Sequence, residues 1–493
     1  MQGYEQLDHP VALTIFVLTL FLPILIGFLT LRRTRNQSDF FIGGRAMDKF
    51  VVALSAVSSG RSSWLVLGVS GMAYTMGVGA VWAVVGYILA ELFQFIYIGR
   101  KLRQETESMQ AITLLDYFET RFRDTKHLLR ITGAVIIGLF ITAYVSAQLS
   151  AGARALSTAL NLSPLVALAF SALLIIIYMM MGGYIAVAYN DVIRAIIMIF
   201  GLVVFPIVGL VKMGGLNELL RILSELDPAA INPYALGAGA IIGFLGIGLG
   251  SPGQPHILVR YMSIDNPDRL RQSTVIGTIW NVVMAWGALF IGLLGRAVIP
   301  NIQNLPDSNS EMIYLVLSSQ YFGPVLYGLL IGGIFAAILS TADSQLLVVA
   351  STFVRDIYEK MIHPARELKE ANKLRLSRIV VLLSGLLAMV LAIAAKDLIF
   401  WLVLFAWSGL GASFGPAIIL ALYWKRISRI GILSGMITGS LVTVIWKLYL
   451  KSCTGIYELI PAFFFSLCMI VVFSLLFPTK SKRNIQPTTS LKP

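Results

Sequence analysis

Residues 246–256 read Gly-Ile-Gly-Leu-Gly-Ser-Pro-Gly-Gln-Pro-His and follow directly on an apolar stretch. Proline removes a backbone donor and glycine adds conformational freedom, so this run cannot continue an ordinary helix. In lipid, each unpaired N–H or C=O costs several kcal/mol, and broken backbone survives only inside protein or beside a water-filled cavity. Composition places the chain in lipid. Hydrophobic residues fill 57% of 493 positions and charged residues 13%, against about 25% charged in soluble domains. A discontinuous helix in such a chain is the arrangement that builds solute and ion sites in secondary transporters, so the run points to transport.

A formal charge of +13 invites a nucleic-acid reading, but the Lys and Arg residues lie mostly in short loops between apolar spans, where bilayer orientation requires them. Nucleic acid is therefore no expected partner. Cys453 and Cys468 suggest neither a disulfide framework nor a metal site. His9, His127, His256 and His363 are dispersed without metal-ligand spacing, which argues against a membrane enzyme. The first apolar segment, 11–31, has its basic cluster after it, at Arg32, Arg33 and Arg35. A secretory signal has the reverse order, so the segment reads as a retained first helix with its N-terminus outside the cytoplasm.

With roughly 20 apolar residues per crossing, about thirteen spans are expected. They centre near residues 20, 62, 88, 140, 171, 199, 245, 285, 335, 386, 410, 438 and 467. An odd count places the C-terminus in the cytoplasm, with 479–493 as a polar tail and 457–477 as the last helix. Loop charges agree: the expected cytoplasmic loops carry clusters such as Arg100, Lys101 and Arg103, or Arg355, Lys360 and Arg366. The expected outer loops near 213–234 and 298–320 carry mainly acids, including Glu218, Glu225, Asp227, Asp307 and Glu311. The expectation is a multi-pass protein of the cell (inner) membrane. The second span also breaks, at Ser-Ala-Val-Ser-Ser-Gly-Arg-Ser-Ser-Trp (55–64). Two interrupted helices in corresponding positions mark an inverted repeat. The five-helix repeats are then 50–212 and 235–450, within a single all-α transporter domain covering 1–493.

Several motifs, in this order and spacing, resemble the sodium:solute symporters, and bacterial sodium/proline symporters in particular. They are Phe40-Phe41-Ile-Gly-Gly-Arg45, Leu114-Leu-Asp-Tyr-Phe118, Gly152-Ala-Arg154, Gly182-Gly183 through Asp191, Gly253-Gln-Pro-His-Ile-Leu258, Ser340-Thr341, Ala406-Trp-Ser-Gly-Leu-Gly411 and Tyr457-Glu-Leu-Ile-Pro461. The resemblance implies a LeuT-like five-plus-five fold, alternating access and sodium-coupled uptake of a small solute such as proline or another amino acid. No cofactor is implied beyond the co-transported Na+.

It also implies roles for particular residues. Adjacent hydroxyls at Ser340 and Thr341 offer the hard oxygen ligands that a small cation prefers. With the carbonyls of Ala337, Ser58 and Arg61 they match the family's common sodium site. The simpler account has both hydroxyls bonding back one turn along their own helix. Asp191, where the family keeps an acid, would lie on the ion's route, or else form a helical pair with Arg194. Trp64, Tyr144, Gln148, Ile247, Ser251 and Pro255 are the candidate solute contacts. The resemblance implies aromatic side chains at 247 and 251, which this chain lacks, so a pocket of different shape is expected.

The largest departure is at Gly60 and Arg61, where proline-transporting relatives carry an aspartate at the first position. An arginine at membrane depth is a functional hypothesis by default, and Asp343 is its candidate partner. An Arg61–Asp343 pair would supply part of a sodium ion's charge and favour proton-coupled or sodium-independent transport. Glu91 and Arg154 are expected to be buried with partners. The Met179-Met-Met181 run reads as packing. A sensor would need a long C-terminal extension, which the short tail argues against.

Overall fold

The computed structural model describes residues 9–30, 34, 36–362, 369–394 and 398–478. Arg32, Arg33, Arg35, His363, Arg366 and the 479–493 tail lie outside the described residues, as do the side chains of Met179–Met181. Among the described residues there is no strand, only an isolated bridge between Met47 and Ile264. Among the described residues, ten helices are long and apolar enough to cross a membrane. The chain is an all-α, multi-pass membrane protein.

The first helix, α1, runs Pro10–Thr30. The first broken helix, α2, covers Lys49–Ser63 and is capped by the Asp48 carboxylate accepting from Phe50 N–H. It is interrupted at Ser62 (φ 48, ψ −172) and continues as a wider turn over Trp64–Val69. After a turn at Gly77 (φ 62) comes α3, Val81–Phe93. Helix α4 spans Leu128–Leu160 and α5 spans Pro164–Met213. The last is itself broken at Gly183 (φ 61, ψ −168), where the spans expected near 171 and 199 meet. The second expected break runs as tight turns over Gly246–Gly253, then an extended Gln254, then α6, Pro255–Ser263, with its proline in the first turn. Helices α7 (Leu270–Val298), α8 (Pro324–Ser351) and α9 (Ile399–Tyr423) follow.

Burial separates the centre from the lipid-facing rim. In the span containing α8, and in α9, 83% of the most apolar window is buried; for α1 and Asn372–Ala394 the share is 28%. Both breaks pack against these two central helices: α2 on α8, and the 246–253 turns on α9. That approach demands glycine at 250, because a Cβ there would overlap the Trp407 indole.

The broken backbone groups find side-chain partners, as a low-dielectric interior requires. In the second break the Ile247 carbonyl accepts from Trp407 Nε1 at 2.9 Å, and the Gly250 carbonyl accepts from Gln254 Nε2 at 3.0 Å. The Ser251 carbonyl accepts from Gln94 Nε2 at 2.5 Å. In the first break Ser63 N–H donates to Gln148 Oε1 at 3.1 Å, and Trp64 N–H to Ser62 Oγ at 3.0 Å. These bonds offset the cost of Ser62's left-handed φ, on the order of 1–3 kcal/mol.

Glu311, in the segment 298–320 expected as an outer loop, is buried at 1% exposed. Its carboxylate accepts from Ile399 N–H at 2.9 Å and Phe400 N–H at 2.8 Å, and Arg154 lies 3.4 Å away. A buried helix start leaves N–H groups without partners, and Glu311 supplies the acceptor for α9.

Candidate functional site

Helix α8 presents Ser340 and Thr341 to the first break. Ser340 Oγ lies within hydrogen-bond distance of both the Ser58 carbonyl (3.1 Å) and the Ala337 carbonyl (3.0 Å), and Thr341 Oγ1 donates to the Ser59 carbonyl at 2.9 Å. Thus Ser58, Ala337, Ser340 and Thr341 converge, and Ser59 joins them without having been singled out in the sequence. Two hydroxyls and three carbonyls from two helices form a neutral oxygen cluster of the kind that holds a hard cation. The simpler account, hydroxyls bonded back along their own helix, describes one Ser340 contact; the others cross to α2. The Arg61 carbonyl accepts instead from Trp64 N–H.

The expected Arg61–Asp343 pair is replaced by two others. Arg61 Nη2 reaches Glu91 Oε2 at 2.9 Å, and its guanidinium lies 3.7 Å from the centre of the Tyr87 ring. Asn281 Nδ2 donates to the same Glu91 oxygen. Arg61 faces α3, whereas Asp343 lies against α5 and pairs with Arg194 at 2.5 Å. Glu91 thereby has the buried partner expected of it. Tyr87 OH donates to the Gly60 carbonyl at 3.0 Å and occupies the space a Cβ at position 60 would need.

Asp191 gathers bonds from both sides. Its Oδ2 accepts from Ser55 Oγ (2.6 Å), Ser59 Oγ (2.9 Å) and Arg260 Nη2 (3.2 Å), while Oδ1 lies 3.6 Å from Arg194 Nη1. The helical Asp191–Arg194 pair and a place beside the Ser340–Thr341 oxygen cluster therefore coexist. Arg260 was not singled out from sequence, and Arg194 only as a helical neighbour. The rule that ionisable groups at membrane depth are functional by default would have found both.

Trp64, Tyr144 and Ile247 come together around a cavity of about 10 Å³, room for about one water, lined also by Gly60, Tyr87, Val403, Leu404 and Trp407. Trp64 stacks between Tyr87 (centroids 5.9 Å) and Phe400 (5.8 Å), and Tyr87 leans on Trp407 at 5.4 Å. Positions 247 and 251 are aliphatic and small as the sequence requires, and the aromatic rings around this cavity come from Trp64, α3 and α9. The other three candidates lie elsewhere. Gln148 holds the Ser63 backbone, and Ser251 Oγ donates to Gln94 Oε1 at 2.8 Å. Pro255 lines a separate cavity with Ser344, Asp356 and Thr113.

The profile of the sodium:solute symporter family matches residues 40–439. The chain belongs to the sodium:solute symporter family. A sodium/proline symporter of Escherichia coli (strain K12) is 35% identical over 469 residues, covering 94% of this chain and 93% of the relative. A high-affinity proline transporter of Bacillus subtilis (strain 168) is 35% identical over 455 residues, covering 92% and 95%. Among solved structures, a substrate-bound, outward-open Na+-coupled sialic acid symporter superposes with a TM-score of 0.80 at 19% identity, covering 96% of this chain and 99% of that one. A nucleobase-cation-symport-1 family transporter gives 0.55 at 10% identity, covering 91% and 98%. These likenesses show the LeuT-like fold. This family member is a secondary transporter and not an enzyme.

Proposed function

We propose that the chain takes up proline, or another small amino acid, together with sodium by alternating access. The observation that carries this reading is the oxygen cluster of Ser58, Ser59, Ala337, Ser340 and Thr341 at the α2 break. It lies on the same helix break as Gly60 and Trp64, which line the aromatic cavity. Sodium occupies the cluster and Asp191 borders its exit; Trp64, Tyr144 and Ile247 contact the solute. Cation occupancy biases the outward-facing state only by its differential affinity for the two states. The chain spans a cell (inner) membrane about thirteen times, with the N-terminus outside, the C-terminus in the cytoplasm, and repeats at 50–212 and 235–450. The relatives named for proline support the solute class.

The test is uptake of radiolabelled proline into proteoliposomes, competed by a panel of unlabelled amino acids, under an imposed sodium gradient. Competition by proline and its near neighbours supports the reading; uptake blocked by none of them moves the search to other solutes. A second reading, proton-driven or sodium-independent transport, is favoured by Arg61 and Arg194, whose buried guanidinium groups already pair with Glu91 and Asp343 and leave those carboxylates no uncompensated charge for a sodium ion. Uptake of equal rate under a proton gradient alone would establish it.

A further inference from the structure

Two acids and two arginines lie buried together beside the cation cluster: Asp191, Asp343, Arg194 and Arg260, each at most 1% exposed. Arg194 Nη1 reaches Asp343 Oδ2 at 2.5 Å and Asp191 Oδ1 at 3.6 Å, and Arg260 Nη2 reaches Asp191 Oδ2 at 3.2 Å. The two residues that give hydroxyls to the cluster, Ser340 and Thr341, are each tied to this quartet through one serine. Ser344 Oγ lies 2.7 Å from the Ser340 carbonyl and 3.2 Å from Asp343 Oδ1, and it accepts from Arg260 Nη2. Ser59 gives its carbonyl to Thr341 (2.9 Å) and its hydroxyl to Asp191 (2.9 Å).

The cluster's own ligands are neutral oxygens, so the quartet is the charged environment its hydrogen bonds lead to. With both arginines in place the quartet sums to zero and offers an entering cation no net attraction. Removing the charge of Arg194 alone leaves one net negative charge; removing that of Asp343 alone leaves one net positive charge. A desolvated cation depends on such neighbours for compensation, because burial strips it of water.

We infer that Arg194 and Asp343 form a built-in charge pair that sets this transporter's cation affinity, Asp343 raising it and Arg194 lowering it. The inference rests on the reading that the Ser340–Thr341 cluster holds the cation. Neither residue is a ligand; both act through Ser344 and Asp191, and are tuning residues. A purely structural role, pinning α5 to α8, would make either single substitution weaken binding.

The experiment uses the full-length purified protein, titrating sodium chloride at constant ionic strength and reading tryptophan fluorescence. The variants are Arg194→Gln, Asp343→Asn, the double variant, Arg194→Lys and Thr341→Ala. Arg194→Gln is expected to lower the half-saturating sodium concentration about tenfold or more, and Asp343→Asn to raise it by a similar factor. The double variant and Arg194→Lys are expected to stay within about threefold of the parent. If Asp343→Asn does not fold, a tenfold lowering in Arg194→Gln that Arg194→Lys does not show still carries the result. Shifts of both single variants in the same direction, or an unchanged Arg194→Gln, overturn the inference alone. A parent without a sodium response, or a Thr341→Ala variant that keeps the full response, overturns the cation-site reading and the inference with it.

Discussion

Gly60→Ala is the sharpest probe of how this chain has rebuilt its first break. The new Cβ would overlap the Tyr87 hydroxyl, while the ring carbon bearing that hydroxyl stays at 3.7 Å, ordinary contact. Ile257 Cδ1 at 3.2 Å has to give by a few tenths of an ångström. Overpacking of this kind costs about 1–3 kcal/mol, and displacing Tyr87 also weakens its bond to the Gly60 carbonyl, worth about 1 kcal/mol. Alanine's better helix propensity returns about 0.5–1 kcal/mol. The net expectation for Gly60→Ala is a loss of about 1–3 kcal/mol, read as an apparent Tm lowered by a few degrees in detergent. Tyr87→Phe removes the clashing atom together with the hydrogen bond. The pair should therefore couple, with the double variant more stable than Gly60→Ala alone by about 1 kcal/mol. The aspartate that the family resemblance implies at this position meets the same obstacle, so Gly60→Asp needs Tyr87→Phe before any effect on coupling can be read. A Gly60→Ala protein as stable as the parent, or a double variant that sums the two losses, would refute the reasoning.

Arg61→Met or Glu91→Gln alone leaves a buried charge without its partner and should destabilise by about 3–5 kcal/mol, while the double variant recovers much of that loss in thermal unfolding. Glu311→Gln keeps the shape but removes the charge at the start of α9, and is expected to cost about 1 kcal/mol, less than Glu311→Ala, by the same assay. Near the short helix Leu114–Phe122, burial pushes the Asp116 and Glu119 carboxyls up, but Arg130 holds both below their ordinary values of 3.8 and 4.5. A depressed folded-state value stabilises above the unfolded one, so this contribution is present near neutrality and lost as pH falls below about 4.5. Arg130→Gln should flatten the acid limb of the Tm–pH profile; a limb of unchanged slope would count against the pairing.

The helical architecture and both breaks were legible because backbone punctuation is local: glycine, proline and serine interrupt a helix wherever lipid would otherwise enforce one. The meeting of Ser340 with the Ser58 carbonyl could be anticipated from family motifs alone, since nothing local joins residues that far apart; the motifs named the Arg61 carbonyl where Ser59 supplies the contact to Thr341. Side-chain partners were less legible. The partner of Arg61 depends on which neighbouring helix its face of α2 meets, and that is α3 with Glu91, while Asp343 pairs with Arg194 of α5. Ser251 faces Gln94 because 246–253 winds with about three residues per turn and not the 3.6 of an α-helix, and Pro255 lines a different cavity because the extended Gln254 redirects the chain before it. Tyr87 reaches the cavity from a helix whose sequence reads as an ordinary lipid-compatible span, and Trp407 from a family motif that does not say what its ring faces. The third interruption, at Gly183, lay inside a quoted motif, yet nothing beside it distinguished a break from a packing glycine.

The most direct test of the account is the sodium dependence of solute uptake in proteoliposomes carrying the parent protein or Thr341→Ala. The account predicts that a sodium gradient drives accumulation and that Thr341→Ala raises the half-saturating sodium concentration by about tenfold or more, for loss of one ligand worth about 1–2 kcal/mol. Uptake indifferent to sodium, or an unchanged sodium dependence in Thr341→Ala, would contradict it.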